Sequence, residues 1–266
     1  MTRIAVVGHV EWVQFLRVDH LPTPGEILTA RRETAHSGGG AVVAAAALAE
    51  HGAQVDFYGA VGSDDLGDAA TADIAGRGIS VHMARRSAPT REVLTLLDQA
   101  GERTIMPIGE RLRPEGEDAL DWQRLAQADG VYVTAADRDA LARARAARVV
   151  VATPRLREEV TGAALPLDAL IYSASDENEA RWAAALEPIS RFVLLTEGAA
   201  GGRWRGESEG RWSAVAPPGP VRDSYGCGDA FAAGVTFGLG SGAPIEEACA
   251  IGARWGAEML TRVGAP

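Results

Sequence analysis

The chain contains no lysine; all 26 of its basic residues are arginine. That excludes several phosphate and carbonyl chemistries at once. A P-loop needs a lysine on the β- and γ-phosphates, and a protein-kinase fold needs its strand lysine. Pyridoxal-phosphate enzymes and Schiff-base aldolases need a lysine amine. Histidine is also scarce: His9, His20, His36, His51 and His82, all in the first third. A histidine triad or metal cluster completed by the C-terminal half is not expected. Two cysteines, Cys227 and Cys249, make neither a disulfide framework nor a zinc set, and fit a reducing, cytoplasmic setting. No run of about 18 apolar residues occurs, so no membrane span is expected. Met1-Thr2-Arg3 leads straight into Ile4–Gly8, too short a run for a secretory leader. With a net charge of −10 the chain shows no basic surface for nucleic acid. Arg138, Arg143, Arg145 and Arg148 gather locally, but among acids and alanines, as on a solvated helix face. Gly8-His9-Val10-Glu11-Trp12 lacks the Gly-x-Gly-x-x-Gly spacing of a dinucleotide-binding turn.

What is present is an ordinary soluble composition, 47% hydrophobic and 23% charged over 266 residues. That length suits one larger α/β domain, or a core with a small accessory element. Strands are expected at 4–7, 55–59, 130–133, 148–152, 169–173 and 192–196, and helices at 41–51, 65–75, 118–128, 137–146 and 176–186. Strands alternating with helices argue a mostly parallel sheet covered on both faces. Extended segments at 11–19, 27–34, 79–83, 93–98 and 103–106 form a β-rich insert, with a turn at 99–102. Gly38-Gly39-Gly40 opens the alanine-rich helix, so first-turn N–H groups face the loop's ligand side.

The most informative stretch is Asp223-Ser224-Tyr225-Gly226-Cys227-Gly228-Asp229, followed by the apolar run Ala230–Gly234. Glycines let consecutive N–H groups turn toward one point and form an anion nest, and the helix behind adds its positive end. Such a pocket suits the charge that spreads over a transferring phosphoryl group. Asp229 would repel a merely bound phosphate. Two roles stay open for it on spacing alone, a helix cap or a base taking a proton from an attacking hydroxyl.

Residues 223–234 resemble the signature of the ribokinase-like, PfkB-type carbohydrate kinases: an Asp, a Gly-small-Gly-Asp step, then a small-residue helix. The match continues through Pro244, Glu247-Ala248 and Thr261–Ala265. Earlier pieces agree in order: Gly38-Gly39 before the alanine-rich helix, Gly59–Gly67 with its Asp64, Pro89-Thr90, Gly101–Thr104, Asp176–Glu179 and Thr196–Gly201. The resemblance implies a doubly wound, mostly parallel α/β sheet with helices on both faces plus a small β-sheet lid. It implies one domain over residues 1–266, with lid segments near 11–35 and 79–106. It places ATP against Thr196, Gly198, Gly201, Asp223, Ser224 and Ala253, and a small hydroxylated substrate against Glu11, Val13, Gly38, Gly39, Val43 and Arg91. Asp229 would be the base, and the N–H groups of Gly226, Cys227 and Gly228 would hold transition-state charge. Mg²⁺ would be held through water by Asp176 and Glu179, and a homodimer would form through the lid. The family's monovalent-cation loop would finish where this chain ends, at Pro266, so potassium dependence stays open.

The chain departs from the family pattern at the acceptor. Val43 stands where the family has a sugar-binding asparagine, and Val13 where it has an aspartate, with Glu11 the neighbouring polar position. Valines leave sugar hydroxyls unpaired, which is costly. The expected acceptor is therefore a more apolar alcohol, a nucleoside-like compound or a modified sugar, not plain ribose or fructose. Trp12 and His9 would give it a flat wall, or Trp12 would simply pack the lid. Arg85, Arg86 and Arg91 are candidates for a phosphate already on the substrate, or else exposed lid charges. Asp176 for the usual asparagine keeps an oxygen ligand, and Cys227 for alanine reads as a small spacer. A non-catalytic nucleotide or metabolite sensor on the same fold is the competing reading; a retained Asp229 speaks against it.

Overall fold

The computed structural model describes residues 1–99 and 103–264. The expected turn over 99–102, with Gly101-Glu102, and the terminal Ala265-Pro266 fall largely or wholly outside them. The first half runs β1 (Arg3–Val7), β2 (Glu11–Arg17), β3 (Arg31–Gly38), α1 (Gly40–Glu50), β4 (Gln54–Gly62), α2 (Asp65–Ala75), β5 (Ser80–Arg86), β6 (Glu92–Leu97) and β7 (Arg103–Ile108). Next come β8 (Gly130–Val133), α3 (Arg138–Ala144), β9 (Val150–Ala152), α4 (Arg157–Ala163), β10 (Leu167–Ser173), α5 (Glu177–Ala183) and β11 (Ser190–Thr196). The described chain closes with β12 (Gly202–Gly206), β13 (Gly210–Trp212), α6 (Cys227–Gly240) and α7 (Ile245–Met259).

Nine strands form the main sheet in the order β13-β12-β11-β10-β9-β8-β1-β4-β5. All pairs from β11 through β5 are parallel; β12 and β13 add antiparallel at one edge. Strands covered on both faces are apolar throughout rather than alternating. β1 shows why: Ile4 and Val6 join the cluster with α1, α6 and α7, while Ala5 and Val7 join the one with Trp122, Leu125 and α3. Each of these four side chains is at most 1% exposed. Burying a Val or Ile is worth about 1.5–3 kcal/mol, so β1 anchors both layers. Helix starts follow local chemistry: Asp64, Asp137 and Asp176 each accept first-turn N–H groups of α2, α3 and α5.

The small sheet has the order β3-β2-β6-β7 and a core of its own in Val13, Phe15, Val93 and Leu97. β2 and β6 are parallel, the other two pairs antiparallel. Its extent differs from the expected 11–35 and 79–106. β3 continues to Gly38, and β5 pairs in parallel with β4 in the main sheet, so the second lid segment starts at Glu92. Polar contacts to the body help to hold the lid. Asp73 of α2 accepts the N–H and hydroxyl of Ser37, at 3.0 and 2.5 Å. Asp223 pairs with Arg103 of β7 at 2.5 Å.

The helix expected over 118–128 is a short 3-10 segment, Trp122–Gln127. Asp118 is drawn instead into a two-pronged pair with Arg86, and its carbonyl accepts the Trp122 indole N–H. Trp122 then stacks on Tyr58, which stacks on His82 from its other side. Tertiary anchoring of one large ring overrides the local helix pattern. Among the described residues no helix is long and apolar enough to cross a membrane.

Candidate active site

In the main sheet β1 lies between β8 and β4, and chain order runs outward from it in both directions. In open α/β sheets ligands bind at such a reversal, outside the carboxyl ends of the strands. The residues following the strands there are Gly8-His9 after β1, Thr134 after β8 and Thr153 after β9. Three of them carry buried polar atoms without a partner: His9 Nδ1, Thr134 Oγ1 and Thr153 Oγ1. Buried groups are normally satisfied, and each orphan costs about 1–3 kcal/mol. Their concentration at one sheet end points to a polar ligand.

Asp229 enters from above, in the first turn of α6. Gly226 caps that helix in the left-handed region, φ 77°, a conformation that favours glycine. The first-turn N–H groups lack helical acceptors. A Cβ on Gly228 would meet nothing within 4 Å, so the space beside this residue is open, while the Cys227 N–H donates to the Ser224 carbonyl at 3.5 Å. The Asp229 carboxylate accepts a 3.4 Å hydrogen bond from Tyr132 of β8. Helix α1 closes the other side: a Cβ on Gly40 would lie 2.4 Å from Asp229 Oδ1. Glycine is therefore required by close approach to the carboxylate itself. Burial lifts the Asp229 carboxyl to about 6; the Tyr132 hydrogen bond and Arg155 pull it down, Glu179 and Glu11 push it up. Above that pH the group is ionised and can take a proton. Cys227 beside it is half-buried, with burial pushing its thiol up to about 11. It is an uncharged spacer, unsuited to thiolate chemistry.

The lid brings charge to the same place. Glu11 of β2 is buried and lies 3.3 Å from Arg91 and 3.8 Å from His9. Arg91 follows Thr90, which is knitted in place: Asp64 accepts its N–H at 2.7 Å and its hydroxyl at 2.6 Å, and its Oγ1 accepts the Gly62 N–H at 2.9 Å. The Gly62, Asp64 and Thr90 motif pieces thus form one framework that carries Arg91. Two further arginines act on this point, neither flagged by the sequence, because both sit on irregular segments. Arg111 and Arg155 join Arg91 in lowering His9, whose pKa falls to about 3, with burial the main cause. His9 is neutral at working pH. Arg111 has no carboxylate within ion-pair reach among the described residues, and burial with Arg91 nearby pulls its pKa down. Arg85 and Arg86 are spent elsewhere, on Asp68 at 2.7 Å and Asp118 at 2.6 Å.

The two valines do not line this space. Val13 is 0% exposed within the lid core, its Cγ2 filling the room beside Gly38, and Val43 is 1% exposed in the main core. Spacing located both positions but not their buried surroundings. The Gly39 N–H is taken by the Tyr225 hydroxyl at 3.2 Å, and Trp12 packs, half-buried, against the main core.

On the other side Arg155 reaches Asp176 at 3.2 Å and Glu179 at 2.9 Å. Asp176 Oδ1 caps α5, and Glu179 Oε2 accepts the Ser173 N–H at 3.2 Å. Asp176 Oδ1 accepts two N–H groups, whereas Asp176 Oδ2, Glu179 Oε1 and Glu179 Oε2 have one partner each and keep a free lone pair. That fits holding a hydrated Mg²⁺ through water, not a multidentate direct cage; no group of three or more ligating side chains occurs among the described residues. Ser173 is registered opposite Thr196, the last residue of β11. Gly198 and Gly201 follow in a 3-10 turn with φ 58° and 86°, and Ala253 is half-buried on α7. Asp223 faces elsewhere than expected: Arg103 and the Tyr225 N–H hold one oxygen and the Gly264 N–H the other. Arg103 also binds Ser224 Oγ at 2.9 Å. Both residues pin the glycine loop to the lid. A groove of about 600 Å³ between Tyr172, Leu195, Arg203 and Arg205 contains none of the orphaned polar atoms. Chemistry, not volume, locates the site.

The pfkB carbohydrate kinase family profile matches residues 1–149 and 136–266. The chain belongs to the pfkB family of carbohydrate kinases. It is a phosphotransferase with an alcohol group as acceptor, which sets aside the sensor reading. An ATP-dependent ribose-1-phosphate kinase of Halopiger xanaduensis is 29% identical over 100% of this chain and 94% of its own length. Ribokinase from Thermotoga maritima shares the fold at TM-score 0.81 and 22% identity, covering 100% of this chain and 95% of its own. Adenosine kinase from Sinorhizobium meliloti does so at TM-score 0.80 and 22% identity, covering 100% and 96%. As in that family, the reaction is phosphoryl transfer to a carbohydrate-type small molecule.

Proposed function

We propose that this pfkB-family chain is an ATP-dependent kinase whose acceptor is a sugar already bearing a phosphate, with Asp229 as the base. The observation that carries the acceptor class is the arginine convergence at His9 and Glu11. Arg91 shares one carboxylate, Arg111 has none within reach, and Arg155 adds its field from the nucleotide side. Arg111, a guanidinium without a carboxylate partner beside a neutral His9, suits an anionic group. The name of the Halopiger relative agrees with this class.

In this mechanism Asp229, ionised above pH of about 6, takes the proton of the attacking hydroxyl. The acceptor oxygen forms its bond to the γ-phosphorus as the bond to the β-phosphate bridging oxygen breaks, leaving ADP and a second phosphate ester on the sugar. Backbone N–H groups of Gly226, Cys227 and Gly228 meet the charge on the equatorial oxygens. Thr196, Gly198, Gly201 and Ala253 form the nucleotide side. Asp176 and Glu179 would hold Mg²⁺ through water, and the ion would supply positive charge to the phosphate oxygens. Arg155, bound to both and acting on Asp229, positions the two halves.

The test is ADP release with ATP and a set of sugars, sugar phosphates and nucleosides. A sugar phosphate is expected to give the highest kcat/KM, and Arg111→Ala to raise its KM by roughly tenfold or more while leaving kcat nearer its original value. Equal turnover of the unphosphorylated sugar, or an unmoved KM in Arg111→Ala, contradicts the acceptor class. Turnover retained in Asp229→Asn contradicts the base.

A further inference from the structure

Five arginines line an open groove of about 800 Å³ between lid and body: Arg17, Arg31, Arg32, Arg77 and Arg222, with His36 among them. Glu33 is the sole carboxylate in the lining, and Arg17 and Arg31 share it at 2.6 and 3.8 Å. Arg77 pairs with Asp73 at 3.1 Å. Arg32 and Arg222 have no carboxylate within ion-pair reach among the described residues, although the chain as a whole carries −10. Arg77 Nε is a further buried donor with no partner. Positive charge concentrated in a concave surface attracts anions, and guanidinium forks match phosphate oxygens.

The groove spans two bodies. Arg17, Arg31 and Arg32 belong to the lid strands β2 and β3, whereas Arg77 follows α2 and Arg222 precedes the glycine loop. An anion there would tie lid to body. It would also touch the acceptor end through a short chain of contacts. Asp73 Oδ2 receives Arg77, the Ser37 N–H and the Ser37 hydroxyl together. Ser37 directly precedes Gly38-Gly39, and β3 itself runs from the groove to those glycines.

We propose that this groove is an effector site for a small phosphate-bearing metabolite, whose binding fixes the lid and changes acceptor affinity. The ligand is small and multiply charged, because the unpaired Arg32 and Arg222 line one concave groove together. The assignment does not depend on which acceptor the enzyme uses, since binding is read without turnover.

Pyrophosphate binding to the full chain, measured by titration calorimetry, tests it. Wild type is expected to show a class of sites that Arg32→Gln/Arg222→Gln weakens by roughly tenfold or more and that Arg111→Ala leaves intact. Both substituted residues are exposed and unpaired, so an unchanged unfolding midpoint serves as the folding control. Saturating pyrophosphate should shift the acceptor KM in wild type and not in the double variant. No binding at millimolar pyrophosphate, equal binding in the double variant, or an unmoved KM overturns the proposal. So does stronger competition by a single-stranded oligonucleotide or anionic vesicles, which would mark a macromolecular partner. Absence of any pyrophosphate binding that Arg111→Ala weakens would count against the phosphosugar reading, not against this groove.

Discussion

Asp229→Asn should make the protein inactive and more stable at once, and the size of both effects follows from where the carboxylate sits. Burial raises its pKa from 3.8 to about 6. Each unit corresponds to about 1.36 kcal/mol, so an ionised Asp229 costs the folded chain up to about 3 kcal/mol. Its remaining contact with solvent brings that nearer 2. The sign is set by proton uptake. With the folded pKa above the unfolded one, the native state holds the proton between pH of about 4 and 6. Stability therefore falls as pH rises through that window, and the full cost is present above it. Asparagine carries no charge and still offers an oxygen to the Tyr132 hydroxyl. Urea unfolding at pH 8 should give the variant about 2–3 kcal/mol more stability than wild type, and at pH 4 the two should converge. Turnover should meanwhile fall by on the order of 10²–10⁴. Equal or lower stability of the variant at pH 8 would show that the carboxylate is not held in an unfavourable site, and the reasoning for a stored, raised pKa would fail.

The same carboxylate should set the acid limb of the rate profile: kcat/KM rising through pH of about 6 and flat above it, whereas a limb near 4 would mean an unperturbed acid. Gly40→Ala places a methyl 2.4 Å from Asp229 Oδ1, so kcat should fall by roughly 10² through displacement of the base. Circular dichroism should remain native, because alanine suits the helix better than glycine; unchanged kcat would contradict the close approach. Val13→Asp, which restores the family residue, puts an unpaired carboxylate into a fully buried lid core. It should lower stability by about 3 kcal/mol or more in thermal unfolding without creating ribose kinase activity; a gain of ribose turnover would show that Val13 faces the acceptor after all.

Much of the architecture was legible because local and tertiary signals agree. β1, β4, β10 and β11 read as buried parallel strands since both faces are covered, and Asp64, Asp137 and Asp176 mark helix starts that they cap in fact. What escaped depends on partners distant in sequence. β12 and β13 show no recognisable strand run; they exist by pairing with β11, with Trp204 inward and Arg203 and Arg205 outward. Ser80–Arg86 looked like lid but finds its partner in β4. At the site, the glycine loop and Asp229 could be located because glycine spacing dictates backbone shape. Arg111 and Arg155 could not, since neither lies on a periodic element and only folding brings them to His9. One signal was available: the polar residues immediately after β1, β8 and β9, namely His9, Thr134 and Thr153, could have been collected as strand-end ligands.

The most direct test of the account is a comparison of kcat/KM for a sugar phosphate and its unphosphorylated sugar, using ATP, in wild type and Arg111→Ala. The account predicts a preference for the phosphorylated acceptor of roughly tenfold or more that collapses when Arg111 is removed. A wild-type preference for the free sugar or a nucleoside, or a preference that survives the loss of Arg111, would contradict it.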